Sequence, residues 1–180
     1  GVVAESLGRT LTPSPFMGSA VLSASVLVDG ASDAQQAAWL PRIAAGEAIV
    51  SMAVDEGAKH APSRITTTAE RSGNGFRLNG AKAMVLDGHV ADAVIVVALT
   101  ENGLTLFLVD PKTAGMEVER TMMVDAHNAA RITLSDVQVD ADAVIGEVDG
   151  GEGLLEGALN LGRACAASSL TGAGDQAFRI

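Results

Sequence analysis

The sequence has 180 residues, of which 48% are hydrophobic but only 3% aromatic, so a core has to be packed from many small side chains. The formal net charge of −10 argues against binding to nucleic acid or to an anionic membrane, because both need a basic surface. The single cysteine, Cys165, excludes a disulfide framework, and with no bilayer-length apolar run and no signal-peptide pattern we expect a cytoplasmic protein.

The first quarter of the sequence predicts helices. Pro13 and Pro15 break the first of them, because proline cannot donate to a helical ladder. Ser32 is placed to cap the third, and Pro41 is expected to kink or end it before Gly46 marks its exit. The predicted helices are 1–12, 16–28 and 33–43. The sequence begins without Met and stops inside a predicted helix, so we expect it to be a piece of a longer protein.

From Glu47 the pattern changes to the alternation of half-buried strands. Asn79-Gly80 predicts a turn or bulge, because both residues tolerate positive φ. Residues 93–98 are apolar at nearly every position, so both faces of that strand should be covered. The predicted strands are 48–54, 65–70, 76–79, 82–86, 93–98, 104–109, 116–124 and 129–134, with irregular edge structure over 137–145.

Gly150-Gly151 ends the strand region, and residues 152–180 predict a helix. One face of it, with Gly157, Ala164 and Ser168, is small enough for another helix to pack closely. Strands at this spacing with Gly and Asp turns favour an antiparallel barrel or sandwich. The predicted fold class is therefore α+β, with an antiparallel β-barrel or orthogonal sandwich between α-helical segments.

The motifs that carry chemistry on their own are absent or out of context. Residues 172–177 match the dinucleotide fingerprint as a text string, but a predicted helix, not a strand, precedes them, so we interpret them as a small-residue helix surface. His60, His89 and His127 are far apart and lack a second ligand at metal spacing, so we predict no metal site. Asp55 and Glu56 are adjacent, which is wrong for an acid/base pair on a strand. Cys165 is expected to be a buried small hydrophobe.

Several phrases taken together carry a resemblance that none carries alone. They occupy residues 40–47, 53–58, 75–82, 103–110, 136–139 and 144–147, in that order. This series resembles the acyl-CoA dehydrogenase family over nearly the whole sequence. The resemblance implies that 1–46 is the end of an N-terminal helical domain, 47–150 a complete middle β-barrel domain, and 151–180 the start of a C-terminal helical domain.

The resemblance also implies a function. Enzymes of this family oxidise an acyl-CoA thioester between Cα and Cβ in fatty acid metabolism and hold FAD between the barrel and the C-terminal helices, usually in a tetramer. A carboxylate removes a proton from Cα, and hydride leaves Cβ for the flavin, which carries the redox chemistry. The implied partners are an acyl-CoA substrate, an electron-transfer flavoprotein-type acceptor and further copies or related subunits in a homo- or hetero-oligomer.

Two family phrases imply the cofactor-binding residues, and both depart from the usual pattern. The first, Val-Thr-Glu-Pro-Gly-Ala-Gly-Ser-Asp, falls on residues 53–61. Val54 replaces the Thr hydroxyl and His60 the Ser hydroxyl, so the implied contacts are the main-chain amide at Val54 and the charge of Lys59 or His60 on the pyrophosphate.

The second phrase, Lys-x-Trp-Ile-Thr-Asn-Gly, falls on residues 82–88. Met84 replaces the aromatic ring beside the flavin, and Leu86 replaces the Thr that donates toward flavin N5. A leucine side chain cannot donate a hydrogen bond. The implied donors are therefore the main-chain N–H groups of Val85 and Leu86.

The resemblance supplies no catalytic residue in this sequence. Where some members carry a base in Leu-x-Leu-Glu-Arg, residues 159–163 have Gly162 in place of the Glu. Besides an active dehydrogenase or a subunit of one, two alternatives stay open. The chain is a flavin-poor subunit that serves as structural partner in a hetero-oligomeric dehydrogenase, or it is a non-enzymatic β-barrel that binds small ligands.

Overall fold

The computed structural model describes residues 1–125 and 127–179. These ranges contain four α-helices, one π-helix, two short 3₁₀-helices (Gly88–Val90 and Ala141–Ala143) and eight strands. The α-helices are α1 Val2–Arg9, α2 Ala24–Gly30, α3 Asp33–Ala45 and α4 Gly151–Phe178, and the π-helix is Phe16–Ser23. The strands are β1 Val50–Ala53, β2 Thr68–Ser72, β3 Gly75–Leu86, β4 Ala93–Leu99, β5 Leu104–Val109, β6 Met116–Met122, β7 Asn128–Val139 and β8 Val144–Ile145. The predicted helical position at Ile180 lies outside the described residues.

All eight strands belong to one sheet, which confirms the predicted α+β class with helices on either side. The strand order is β6-β7-β3-β2-β4-β5-β8, and β1 pairs with β4. Most strand pairings are antiparallel, as predicted. Two are parallel, which the prediction did not include: β1 runs parallel to β4, and β2 meets β4 in parallel at Thr68 and Leu99. Phe76 of β3 and Phe107 of β5 meet edge-to-face at 5.1 Å although two strands separate them, so the sheet curls over its own interior.

Strand β4 is buried on both faces, as its continuous apolar run predicts. Ile95 and Val97 face a helix-side core with residues of α2 and α4, and Val94 and Val96 face the interior of the curled sheet. Because successive side chains of a strand point to opposite faces, one strand serves both cores. Covering the helix-side core therefore requires α2 and α4 to lie against the sheet.

The prediction of two strands around Asn79-Gly80 was wrong. Strand β3 runs unbroken through these residues, and a bulge shifts its register to β7 between Leu78 and Gly80. Gly80 has φ +149°, and a Cβ built there would lie 2.8 Å from Thr67 Cα. A glycine is required at this position because the neighbouring segment passes too close for a side chain.

Two helical predictions also needed correction. Residues 16–23 form a π-helix, in which Ala24 N–H donates to the Ser19 carbonyl five residues back. Helix α3 continues past Pro41, although proline removes one ladder bond. A capping box between Ser32 and Gln35 holds its start, and Gly46 with φ +74° ends it, so both termini are fixed despite the proline.

Helix α4 packs closely on α1 near the C-terminal end of α4. A Cβ built at Gly172 would lie 2.0 Å from the Glu5 carbonyl oxygen, and one at Gly8 would lie 2.0 Å from that of Ser169. Gly157, on the predicted face, has open space around it. Residues 172–177, which match the dinucleotide fingerprint only as text, are thus part of a helix–helix contact. This agrees with their interpretation as a small-residue helix surface.

Candidate functional site

A buried ion pair joins the two segments that the sequence analysis singled out. The side chain of Lys82 on β3 is fully buried, and its ammonium donates to Glu56 Oε1 at 2.8 Å and to the Val54 carbonyl at 3.1 Å. Glu56 follows β1 in the connection to β2. The pair therefore holds the residues after β1 against the middle of β3, and it fixes the relative position of both segments.

The Glu56 carboxylate is saturated with further donors. It accepts hydrogen bonds from the main-chain N–H groups and from both hydroxyls of Thr66 and Thr67. Burial raises the pKa of Glu56, but the hydrogen bonds from Lys82 and the two threonines outweigh it and lower that pKa to about 2. Burial also lowers the pKa of Lys82, and its pairing with Glu56 opposes that shift. The Glu56 carboxyl is therefore ionised across the neutral range.

This pair makes stability dependent on acidic pH. The folded-state pKa of Glu56 lies below its unfolded value of 4.5, so the stabilisation is complete above that value and is lost as pH falls from 4.5 toward about 2. We expect the free energy of unfolding to drop by about 2 kcal/mol between about pH 5 and pH 3 from this group alone. Urea unfolding of the protein and of its Glu56→Gln variant checks this, since the variant must lose that part of the slope. Equal slopes would contradict the assignment.

The end of β3 has an irregular backbone. The pairing register between β3 and β7 shifts again between Lys82 and Val85, and Met84 has a φ of +54°. Side chains there diverge: Val85 is buried in the sheet interior, whereas Met84 is 41% exposed. Bulges and left-handed residues of this kind are concentrated at functional sites.

Strand pairing also leaves a main-chain donor facing away from β7. Asp87 N–H donates to the Asn128 carbonyl at 2.9 Å, so positions 87 and 128 form a hydrogen-bonded pair. Such pairs alternate along an antiparallel ladder, so Leu86, opposite Ala129, directs its N–H to the side remote from β7. This N–H is available to a ligand at that side of β3.

An apolar cavity of about 320 Å³ lies where the ends of β1 and β3 meet the π-helix and α4. We name it the junction cavity, and its walls include Met17, Leu22, Val54, Met84, Leu86 and Gly162. Asp55, His60 and Arg163 supply its polar groups. His60 Nδ1 lies 2.8 Å from Asp55 Oδ2, and Arg163 bonds Glu156 and Asn160 at 2.7 Å each.

The structure brings together some of the predicted cofactor-binding residues and separates others. Val54, His60, Met84 and Leu86 line the junction cavity. Lys59 is exposed and lines a separate surface depression with Glu56 and Arg64. Val85 does not line this cavity: its side chain is in the sheet interior, and by the same alternation its N–H is directed toward Ala130 of β7.

Gly162, the position at which the family resemblance implies a base in some members, lies on the α4 wall of the junction cavity. A Cβ built there would lie 2.7 Å from Leu22 Cδ2. A side chain at this position therefore requires the flexible end of Leu22 to move. Leu22 occupies the space that a larger side chain at position 162 would need.

A second cavity, which the sequence analysis did not foresee, adjoins the first. It has a volume of about 240 Å³, and we name it the side cavity; its walls include Ser14, Met17, Asp87, Asn128, Cys165 and Ser169. Met17, Gly18 and Leu86 line both cavities. Asp87 is only 7% exposed; burial raises its pKa, while a hydrogen bond with Asn128 and the nearby His127 and His89 oppose the shift. Cys165 is buried, as predicted.

A metal-binding cluster and a membrane-spanning helix are both absent from the described ranges. No group of three or more His, Cys, Asp or Glu side chains in residues 1–125 and 127–179 is arranged to hold a metal ion. Among the same residues, no helix has both the length and the apolar composition that crossing a membrane requires.

Comparison with known proteins agrees with the geometry. The family description "Acyl-CoA dehydrogenase, middle domain" matches residues 51–137. Acyl-CoA dehydrogenase FadE27 of Mycobacterium tuberculosis is 31% identical over 147 residues, covering 82% of this chain and 38% of FadE27. Long-chain specific acyl-CoA dehydrogenase of Mus musculus is 34% identical over 124 residues, covering 63% of this chain and 29% of that enzyme.

Solved structures show the same fold. A glutaryl-CoA dehydrogenase from Mycobacterium smegmatis in complex with FADH2 superposes with a TM-score of 0.79 at 29% identity, over 84% of this chain and 40% of that one. The ChsE4-ChsE5 complex from Mycobacterium tuberculosis gives 0.83 at 28% identity, over 93% and 44%. The chain thus spans less than half the length of the proteins it matches.

The shared fold and the matching sequence segments together indicate the class of protein. The relatives are acyl-CoA dehydrogenases, which are oxidoreductases. The chain belongs to the acyl-CoA dehydrogenase family and contains the middle domain of that family. The predicted resemblance is confirmed.

Proposed function

We propose that the chain forms one wall of a site for FAD and an acyl-CoA thioester in an α,β-dehydrogenase. One observation carries this proposal: the two altered flavin phrases meet at one apolar cavity, and α4 closes that cavity. The Glu56–Lys82 pair holds the two phrases together. We further propose the division into 1–46, 47–150 and 151–180, which encloses the matched middle-domain residues within the second unit.

The residues present suit a flavin ring, although they offer it fewer side-chain donors than the family phrases would. Met84, Leu86 and Val54 supply apolar contact around the junction cavity, and the Leu86 N–H faces away from β7. We assign ring contact to Val54, Met84 and Leu86, the last through its main chain. The N–H of Val85, which was predicted as a second donor, is directed toward β7 and receives no such role. His60 lies at the same cavity, and we assign it and the exposed Lys59 to the cofactor phosphates by charge.

When bound, FAD supplies the redox chemistry by accepting hydride from Cβ of the acyl group. The chain's own residues would exclude water from the reacting carbons, because the walls of the junction cavity are mainly apolar. Position 162 has no carboxylate, so we assign removal of the Cα proton to a group outside these 180 residues. By analogy with the family, further proposals are an electron-transfer flavoprotein-type acceptor and assembly as a homo- or hetero-oligomer.

A second candidate function is a flavin-poor subunit of a hetero-oligomer. Two observations favour keeping it: Leu86 offers no side-chain donor, and Leu22 fills the space beside Gly162. The neighbour ChsE4-ChsE5 was solved as a complex. Under this second hypothesis the chain stabilises a catalytic partner subunit and does not itself catalyse dehydrogenation.

Flavin content and flavin reduction separate these candidates. We expect the full-length protein, purified alone, to carry close to one flavin per chain and to lose its visible flavin absorbance when acyl-CoA is added without oxygen. A colourless protein that gains flavin only with a co-expressed partner would support the second candidate instead. No flavin under either condition and no rise in melting temperature with any acyl-CoA would favour a non-enzymatic barrel.

A further inference from the structure

The side cavity differs in character from the junction cavity beside it. Its lining is also mainly apolar, but it includes more hydrogen-bonding side chains, among them Ser14, Asp87, Asn128 and Ser169. The junction cavity is walled mainly by methionine, leucine, valine and alanine. A ligand that extends through both would be apolar near the first and polar at its end in the second. Met17 and Gly18 of the π-helix, and Leu86 of β3, lie where the two cavities meet.

Asp87 is the most buried of the polar residues that line the side cavity. Its side chain is nearly buried, and its backbone has φ +57° just after β3, next to Gly18. An ionised carboxylate offers about four acceptor positions. The partner identified for it within the described residues is Asn128. The side cavity gives a ligand access to this carboxylate.

The charges indicate which end of an acyl-CoA belongs in which cavity. Arg163 lines the junction cavity, and its guanidinium retains donors beyond the two bonds it makes to α4 neighbours. No Lys or Arg lines the side cavity within the part of the chain described, and its one imidazole, His127, lies 3.3 Å from Asp125. CoA phosphates are therefore favoured on the Arg163 side, and the free end of the acyl group on the Asp87 side.

We propose that the acyl group of the substrate carries a hydroxyl at the end remote from the thioester, and that Asp87 in the side cavity accepts its hydrogen bond. This inference rests on the proposed dehydrogenase function and names its substrate class. A plain alkyl end would displace water from this carboxylate and offer it no hydrogen bond in return, which is unfavourable. Sites built to hydrogen-bond a hydroxyl discriminate strongly against analogues that lack it.

Matched substrates test this inference on the flavin-loaded enzyme. Two acyl-CoAs of equal chain length, one ending in a hydroxyl and one in a methyl group, are compared by kcat/KM. We expect the hydroxylated compound to be preferred by about tenfold or more. Asp87→Gly, which suits positive φ, should bring the ratio close to one. Asp87→Asn keeps an acceptor oxygen and the tolerance for positive φ, so it should retain most of the preference.

The outcomes keep the two proposals apart. Turnover of both compounds with equal kcat/KM by the wild-type enzyme would overturn the hydroxyl inference and leave the dehydrogenase function standing. A wild-type preference that survives in Asp87→Gly would also overturn it, because another group would then hold the hydroxyl. Failure to bind or oxidise acyl-CoA thioesters of any length would overturn the dehydrogenase function and the inference with it.

Discussion

Replacing Lys82 with methionine is expected to lower the free energy of unfolding by about 3 kcal/mol. The ammonium is fully buried and bonds Glu56 at 2.8 Å, so its removal leaves a largely buried carboxylate without its counter-charge. Thr66 and Thr67 keep their four hydrogen bonds to that carboxylate, which places the cost at the lower end of the range for breaking a buried pair. Urea unfolding, monitored by circular dichroism, gives the value.

Two variants sharpen this test. Lys82→Met combined with Glu56→Gln should recover part of the loss, because the unpaired charge is then gone. Arg77→Met removes a cation from the same strand, but its pair with Glu70 is exposed, so its cost should stay below about 1 kcal/mol. If Lys82→Met is no more destabilising than Arg77→Met, the buried pair does not hold the two phrases together.

Substitution of Gly172 by valine is the second large expected effect, with a loss of about 3 kcal/mol, at the upper end for overpacking. A Cβ at this position would meet the Glu5 carbonyl at 2.0 Å, and backbone cannot move aside as a side chain can. Relief requires α1 to separate from α4. We expect a lower melting temperature and faster proteolysis near α1, measured by thermal unfolding and limited digestion.

The same helix provides the control. Nothing lies within 4 Å of a Cβ built at Gly157 or Gly174, so alanine there fits freely. Because glycine is costly inside a helix, each replacement should stabilise the protein by about 0.5–1 kcal/mol. A Gly172→Val protein as stable as Gly157→Ala would show that α1 and α4 do not pack at this point.

Local patterns predicted local structure well. The capping role of Ser32, the exit at Gly46 and the two covered faces of β4 follow from neighbouring residues, and all three are present. The unbroken β3 does not follow from them. Asn79-Gly80 suits a turn and a bulge equally, and the choice is made by β7 and by the approach of Thr67.

Contacts between residues that are distant in sequence were the main limit on predicting the site. The sequence indicated both flavin phrases, but not that Glu56 of the first and Lys82 of the second are bound to each other. Lys82 keeps the family pattern, whereas Glu56 stands where that pattern has Pro, so the pattern gave no signal for the pair. The side cavity draws its walls from α1, the π-helix, the end of β3 and α4, so no single stretch could predict it.

The most direct test of the account is a crystal structure of the flavin-loaded protein with a non-reactive acyl-CoA analogue. We expect the flavin ring to lie in the junction cavity against Met84 and Leu86, with the Leu86 N–H within hydrogen-bond distance of the ring and α4 closing the opposite side. A ring bound elsewhere, or an acyl chain that fills the junction cavity with no flavin beside it, would contradict the assignment of this wall.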